Sequence, residues 1–308
     1  MRKTFLLLLF ICVTIYRMFA QEVVVVNGIN YILDSSDNTA IVGQNPDAEG
    51  DIVIPQTITY KKIVYDVVEI GEGAFRGSKI DGSAYKRANC RITSIVLPEG
   101  IKTIGASAFR GCDQLFSITI PNSVKVIEEQ AFAQSGLTQI TFGTGLKKIG
   151  GNAFWRTKIK KITIPNSVIT LGESIFQECK KLTTVFIGNG VKTIPRFAFS
   201  ECTNLEEVHL GNHVQKLDDR SFGDCESLSE IVLPQSLLEI NCAFYHCHSL
   251  VELRIPSSVK KLRDLTVSDC ENFETLILSS PNTTYDTTYS GQQWVVRGCP
   301  NFKGIVVK

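Results

Sequence analysis

Apolar and polar positions recur along this chain with two superimposed periods. The short period is two residues: in SIVLP, Ile95 and Leu97 face one side, Val96 faces the other, and a Pro ends the run. That is the pattern of a short, half-buried strand. The long period is 22 to 23 residues, with SIVLP, SITIP, QITFG, KITIP, TVFIG, EVHLG, EIVLP, ELRIP and TLILS beginning at residues 94, 117, 139, 161, 184, 207, 230, 252 and 275. A Leu or Ile three residues ahead, as Leu115 before Ile118 and Ile120, completes an L-x-x-I-x-I pattern. Between strands an Ala-Phe-like pair returns, from Ala74-Phe75 through Ala131-Phe132 and Ile175-Phe176 to Ala243-Phe244.

One such unit cannot bury its own apolar side, whereas stacked units share a continuous core. The predicted architecture is therefore a solenoid in which each turn gives one short strand to a curved parallel sheet. The returning arc, with Val124 and Ile127 followed by Ala131 and Phe132, is expected to hold a short helical turn whose Phe packs beneath the convex side. Two variants of that arc alternate. Where it reads C-x-x-L, at Cys112, Cys179, Cys202, Cys225 and Cys247, with Phe273 in the place of Leu after Cys270, six residues separate Cys from the first inward strand residue; where Ser135 or Thr157 stands instead, five do. Length and occupant vary together, which implies a buried site whose backbone path depends on its side chain. Ser78 followed by Lys79-Ile80 reads as another short variant, after which about ten extra residues, Asp81 to Cys90, bulge out.

The phrases IPNSVKVIEEQAF, IPNSVITLGESIF and LPEGIKTIGASAFRGCDQLFSITIP resemble the BspA-like leucine-rich repeats of bacterial and protozoan surface proteins, over roughly residues 52–278. The resemblance implies a leucine-rich-repeat solenoid of β-rich α/β class, secretion or surface display and, for some members, adhesion to host matrix proteins or other cells. It brings no catalytic residues. Residues 71–278 are read as the repeats, and 21–70, where Asn27-Gly28 joins two strand-like runs, as a β-rich N-terminal cap leading into the first repeat. Residues 279–308 read as a C-terminal cap in which Cys299, Phe302 and Ile305 restore a partial repeat.

Composition narrows the functional classes. Residues 1–20, with Met1-Arg2-Lys3 ahead of the apolar run from Phe5 to Val13 and Ala20 before Gln21, have the form of a secretory signal peptide. Cys12 fits a lipoprotein cleavage site poorly, and no later stretch resembles a membrane span, so a secreted or cell-surface location is expected. The whole chain has 32 Lys plus Arg against 31 Asp plus Glu. Removing the leader's Arg2, Lys3 and Arg17 leaves 32 − 3 = 29 basic residues, slightly acidic overall, with no electrostatic reason to expect nucleic acid.

Nine cysteines follow the leader. Six occupy one repeat position and would point the same way, which favours a buried thiol ladder over disulfides; Cys90, Cys242 and Cys299 are left open. Cys242, His246, Cys247 and His248 contain zinc-ligating types, but Cys247 sits at the buried position and its neighbours should diverge from it, so no metal or cofactor is expected. His209 and His213 fall in a strand and the following turn and should not converge. Asp218-Asp219 and Glu128-Glu129 read as solvated pairs, and no catalytic motif is present, so an enzyme is not expected.

The outward strand positions carry more information. The first half is mild and hydroxyl-rich. In the second half Phe186 and His209 lie beside a column of Glu207, Glu230 and Glu252, with Arg254 adjacent. Stacked like charges cost stability unless solvated or paired, and an aromatic among polar groups suits a contact anchor. This concave patch is the expected binding site for a host or neighbouring-cell protein or glycan, against the plainer reading of a surface where His209 and Arg254 merely relieve the acids. A second stripe, Lys102, Lys125, Lys147, Lys192 and Lys260, stands four residues after a strand-ending Pro or Gly, is broken in the repeats that carry Ile169, Gln215 and Leu238, and suits either anionic glycans or simple solubility. The rival functional classes are a structural spacer of the envelope and, more weakly supported, a surface glycan hydrolase.

Overall fold

A computed structural model describes residues 21–76, 90–262, 265–285 and 295–308. The expected leader, the expected Ser78 variant, most of the bulge before Cys90 and the centre of the interruption near the C-terminus lie outside the described residues.

The strands stack in parallel with a register shift of one repeat, as in Lys161↔Thr184↔Glu207 and Thr163↔Phe186↔His209. The short period does what its pattern requires: Ile95 and Leu97 are 7% and 8% exposed and Val96 is 56% exposed. Inside, Phe75, Phe109, Phe132, Phe154, Phe176, Phe199, Phe222 and Phe244 form one column, with successive ring centroids 5.1 to 5.7 Å apart and planes within 12° of parallel. Every repeat thus completes its neighbour's core, and single units cannot stand alone.

A second row of two-residue strands follows the first around each rung, beginning with Thr103–Ile104, Val126–Ile127, Lys148–Ile149 and Thr170–Leu171. It is continuous with the N-terminal cap. The hairpin Gln21–Val26 with Ile29–Asp34, turning at Asn27 (φ 50°) and Gly28 (φ 79°), joins Thr39–Val42, then Ile63–Ile70, then the second row. A second hairpin, Thr57–Tyr60 with Ile63–Ile70, turns at Lys61 and Lys62, both in the left-handed region. At the other end Gly304–Val307 pairs in parallel with Thr275–Leu278, and Phe302 stacks on Phe273.

The expected helical turns are not formed; among the described residues there is no helix. Gln130 and Gln134 have φ of 57° and 59°, and the same four-residue pairing recurs at Ser174/Glu178, Phe197/Glu201 and Arg220/Asp224. A left-handed residue at every fourth place breaks any run of helical dihedrals. The amides between them are divided. Ala131 and Ala133 donate within their own turn to Glu128 and Gln130, whereas Gln130, Phe132 and Gln134 donate to Gly151, Ala153 and Trp155 of the next rung at 2.9, 2.8 and 2.7 Å. Bonding between rungs overrides the helix propensity of Gln, Ala and Glu.

The coupling of length to occupant also has a structural cause. In Cys repeats the Leu amide four positions along the C-x-x-L turn closes back on the Cys carbonyl, as Leu182 to Cys179 and Leu205 to Cys202, both at 2.9 Å. The extra residue is that turn, and the Ser135 and Thr157 repeats omit it.

Candidate functional site

The strand face carries the expected patch in a different form. Phe186 and His209 are stacked, with centroids 4.4 Å apart and planes 4° from parallel. On the other side of Phe186, Lys161 reaches diagonally from the neighbouring column and places Nζ 4.9 Å from the ring centroid. Both faces of Phe186 are therefore occupied, and the half-buried ring offers an edge to solvent. It is not the open anchor expected from sequence.

His209 Nε2 lies 2.6 Å from Glu207 Oε1. That hydrogen bond, with the nearby Lys161 charge adding a smaller effect, holds the Glu207 carboxyl below the usual carboxylate range. Lys161, Phe186, His209 and Glu207 thus form one connected assembly. Glu230, Glu252 and Arg254 are exposed in the following rungs, and Glu252–Ile255 pairs with Thr275–Leu278. Glu230 and Val232 lie in the one rung of this stretch whose first-row strand is not formed, and Val232 is 81% exposed between His209 and Arg254 in repeat order. Acid, imidazole, apolar side chain and guanidinium are all presented to solvent there.

A groove of about 570 Å³ opens elsewhere on the strand face, lined by Ser94, Val96, Ser117, Thr119, Gln139 and Thr141. It lies in the half that sequence marks as mild. Small hydroxyl side chains leave space there that Lys161, Phe186 and His209 fill further along; that difference in side-chain size is the sequence signal for it.

The lysine stripe is continuous over Lys102, Lys125 and Lys147 and is broken beyond them by Ile169, Gln215 and Leu238. The Lys125 amide donates to the Lys102 carbonyl and the Lys147 amide to the Lys125 carbonyl, both at 2.8 Å, and all five lysines are exposed.

The cysteines need one correction. Cys90 and Cys112 form a disulfide. Cys90, five residues ahead of Ile95, holds the ladder place of the preceding rung, and stacked rungs bring Cα atoms within disulfide range. Further along the thiols are free and share one orientation: those of Cys179, Cys202, Cys225 and Cys247 donate to the carbonyls of Phe154, Phe176, Phe199 and Phe222 at 3.1 to 3.3 Å. Thr157 Oγ1 continues the column, 3.3 Å from Cys179 Sγ, and Cys299 extends it by accepting the Cys270 amide at 3.4 Å. Burial pushes the Cys179 thiol up to about 11.

His246 hydrogen-bonds Asp224 Oδ1 through Nδ1 at 3.0 Å and lies beside His248, while Cys247 points into the core. His213 turns to the Asn189 carbonyl, away from the strand position of His209. Among the described residues no three His, Cys, Asp or Glu side chains are grouped to hold a metal ion. The acidic pairs are used in ion pairs, Glu128 with Lys148, Asp218 with Lys216 and Asp219 with Arg196. Among the described residues no helix is long and apolar enough to cross a membrane.

Rungs stacked through parallel strands, more than the one strand per turn expected, together with a Phe column and a recurrent thiol place define a leucine-rich-repeat solenoid. Residues 78–205 and 192–292 match the BspA type leucine-rich repeat region in six copies, and the chain belongs to that family. A leucine-rich repeat protein from Bacteroides ovatus is similar at 25% identity with a TM-score of 0.73, over 92% of this chain and 76% of that one. The T. pallidum leucine-rich repeat protein is similar at 27% identity with a TM-score of 0.57, over 67% of this chain and 91% of its own. The pneumococcal vaccine antigen PcpA, at 20% identity and a TM-score of 0.52 over 92% and 88%, shares the fold. No curated protein sequence matches.

Proposed function

We propose that this protein is an extracytoplasmic recognition module without catalytic chemistry, and that it binds a partner protein through the strand face between Phe186 and Arg254. The observation that carries this reading is the assembly of Glu207, His209, Glu230, Val232, Glu252 and Arg254 in consecutive rungs, an acidic column beside an exposed apolar and cationic one. A rigid array fixes these groups before binding, which limits the ordering cost of association. A protein is favoured over a sugar because both faces of Phe186 are covered, leaving that ring no platform for stacking. The BspA-type repeats and the Cys90–Cys112 disulfide support a location outside the cytoplasm, since disulfides persist in oxidising compartments.

The test is a screen of the full chain against extracellular-matrix and cell-surface proteins, repeated with Phe186→Ala, Glu207→Gln and Arg254→Gln combined. A partner whose affinity the triple variant lowers supports the site. Unchanged affinity for every partner found, or turnover of any candidate ligand with time, overturns it.

A further inference from the structure

The fold places Lys102, Lys125 and Lys147 in adjacent rungs, their backbones linked by hydrogen bonds of 2.8 Å. Their charges therefore repeat at one strand spacing, about 4.8 Å. An added Cβ at Gly145 would lie 2.7 Å from Lys125 Nζ, so the ammonium rests along the next rung toward Lys147. Three like charges in such a column repel one another and cost stability.

The acids of this edge do not relieve them. Glu128 is 3.1 Å from Lys148, and Asp218 and Glu239 are 3.4 and 3.9 Å from Lys216; both lysines stand one position further along their rungs. Lys102, Lys125 and Lys147 have no ion pair among the described residues. Acids serve the inner column while the outer one stays bare, in a chain with slightly more acids than bases once its leader is set aside.

We infer that this column is a binding site for an anionic polysaccharide, whose regularly spaced carboxylates or sulfates lie along the rungs and accept from successive ammonium groups. Charge complementarity names an anion, and the repeat of the cations names a linear polymer. Nucleic acid suits the edge less well. The flanking positions, Ile101 and Thr103, Val124 and Val126, Leu146 and Lys148, offer no aromatic ring on which bases could stack. The site is separate from the strand-face patch.

Heparin is the probe, titrated against the full chain at increasing ionic strength. The expected result is binding that weakens steeply with salt, and a loss of about tenfold or more in Lys102→Gln, Lys125→Gln, Lys147→Gln combined. That variant should melt at or above the parent temperature, because it removes exposed repulsion, which separates loss of the site from loss of the fold. Lys192→Gln with Lys260→Gln should change affinity by no more than about twofold. The strand-face triple variant should retain heparin binding. Parent-like binding by the lysine triple variant would overturn the assignment. So would an equal loss in the Lys192/Lys260 variant, or equally tight binding of single-stranded DNA of matched charge.

Discussion

Cys90 and Cys112 occupy the same place in successive rungs, with Cα atoms 4.6 Å apart and their sulfurs joined. The ladder thiols further along are free, and those of Cys179, Cys202 and Cys225 donate to the Phe carbonyl of the rung before. Cys90 holds the first described place of that column, one rung ahead of Cys112. Closing a loop of this length contributes about 3 kcal/mol through the unfolded state. Cys90→Ser with Cys112→Ser should lose roughly that in urea denaturation. Denatured protein spanning residues 21–308 should titrate seven thiols, the free cysteines being Cys179, Cys202, Cys225, Cys242, Cys247, Cys270 and Cys299. Native labelling should begin at the half-buried Cys242 and Cys299. Nine thiols in unreduced protein would contradict the pairing.

Gln134 should be improvable. Its φ of 59° matches the place where Gly111 and Gly298 stand in other rungs. A left-handed conformation costs a side-chain-bearing residue about 1–2 kcal/mol, against about 0.5–1 kcal/mol of extra chain entropy for Gly. Gln134→Gly should therefore gain about 0.5–1 kcal/mol, read from the denaturation midpoint. A loss would show that the Gln side chain contributes more than its backbone conformation costs.

Glu69 carries an opposite strain. Burial, with the Glu128 charge adding to it, raises its carboxyl above the ordinary value. The folded state thus favours the protonated form: the cost of ionisation is present above the raised value and gone below the unfolded one. Glu69→Gln should raise the melting temperature at neutral pH, with the difference from the parent shrinking as pH falls through the carboxylate range. A difference independent of pH would rule out this cause.

Phe154 sits inside the ring column, between Phe132 and Phe176. Phe154→Ala should cost about 3–5 kcal/mol, the transfer loss plus the cavity. Because each rung contacts only its neighbours, hydrogen exchange should accelerate around residues 131–176 and leave the N-terminal hairpins protected. Uniform acceleration along the chain would mean that the solenoid unfolds as one unit.

The sequence carried the rungs plainly, since Ile95, Val96 and Leu97 alternate and the alternation returns eight more times. What stayed hidden were features whose residues bear no mark. Gln130, Arg156, Glu178 and Phe197 adopt left-handed backbone without the Gly or Asn that advertises it, because bonding to the next rung dictates the path. Lys61-Lys62 turns a hairpin with equally little warning. The ladder place of Cys90 was masked by the extra residues before it, which break the spacing from Phe75. At the strand face the acidic column and the His209 and Arg254 positions were readable from register alone. The capping of Phe186 by Lys161 was not, because it joins two columns diagonally and depends on the reach of a flexible side chain.

Strand pairing is interrupted in both rows, but the joints are offset. The first row stops between Gln139–Thr141 and Lys161–Ile164, where the second row runs on from Lys148–Ile149 to Thr170–Leu171. The second row stops after Thr170–Leu171, where the first runs on from Lys161–Ile164 to Thr184–Ile187. Both are interrupted between Glu239–Ile240 and Lys261–Leu262, and there the third side supplies the bond, Phe244–Tyr245 pairing with Val267–Ser268. The protein is laid like brick courses with staggered seams: a crack opening along one wall meets an intact course at the next.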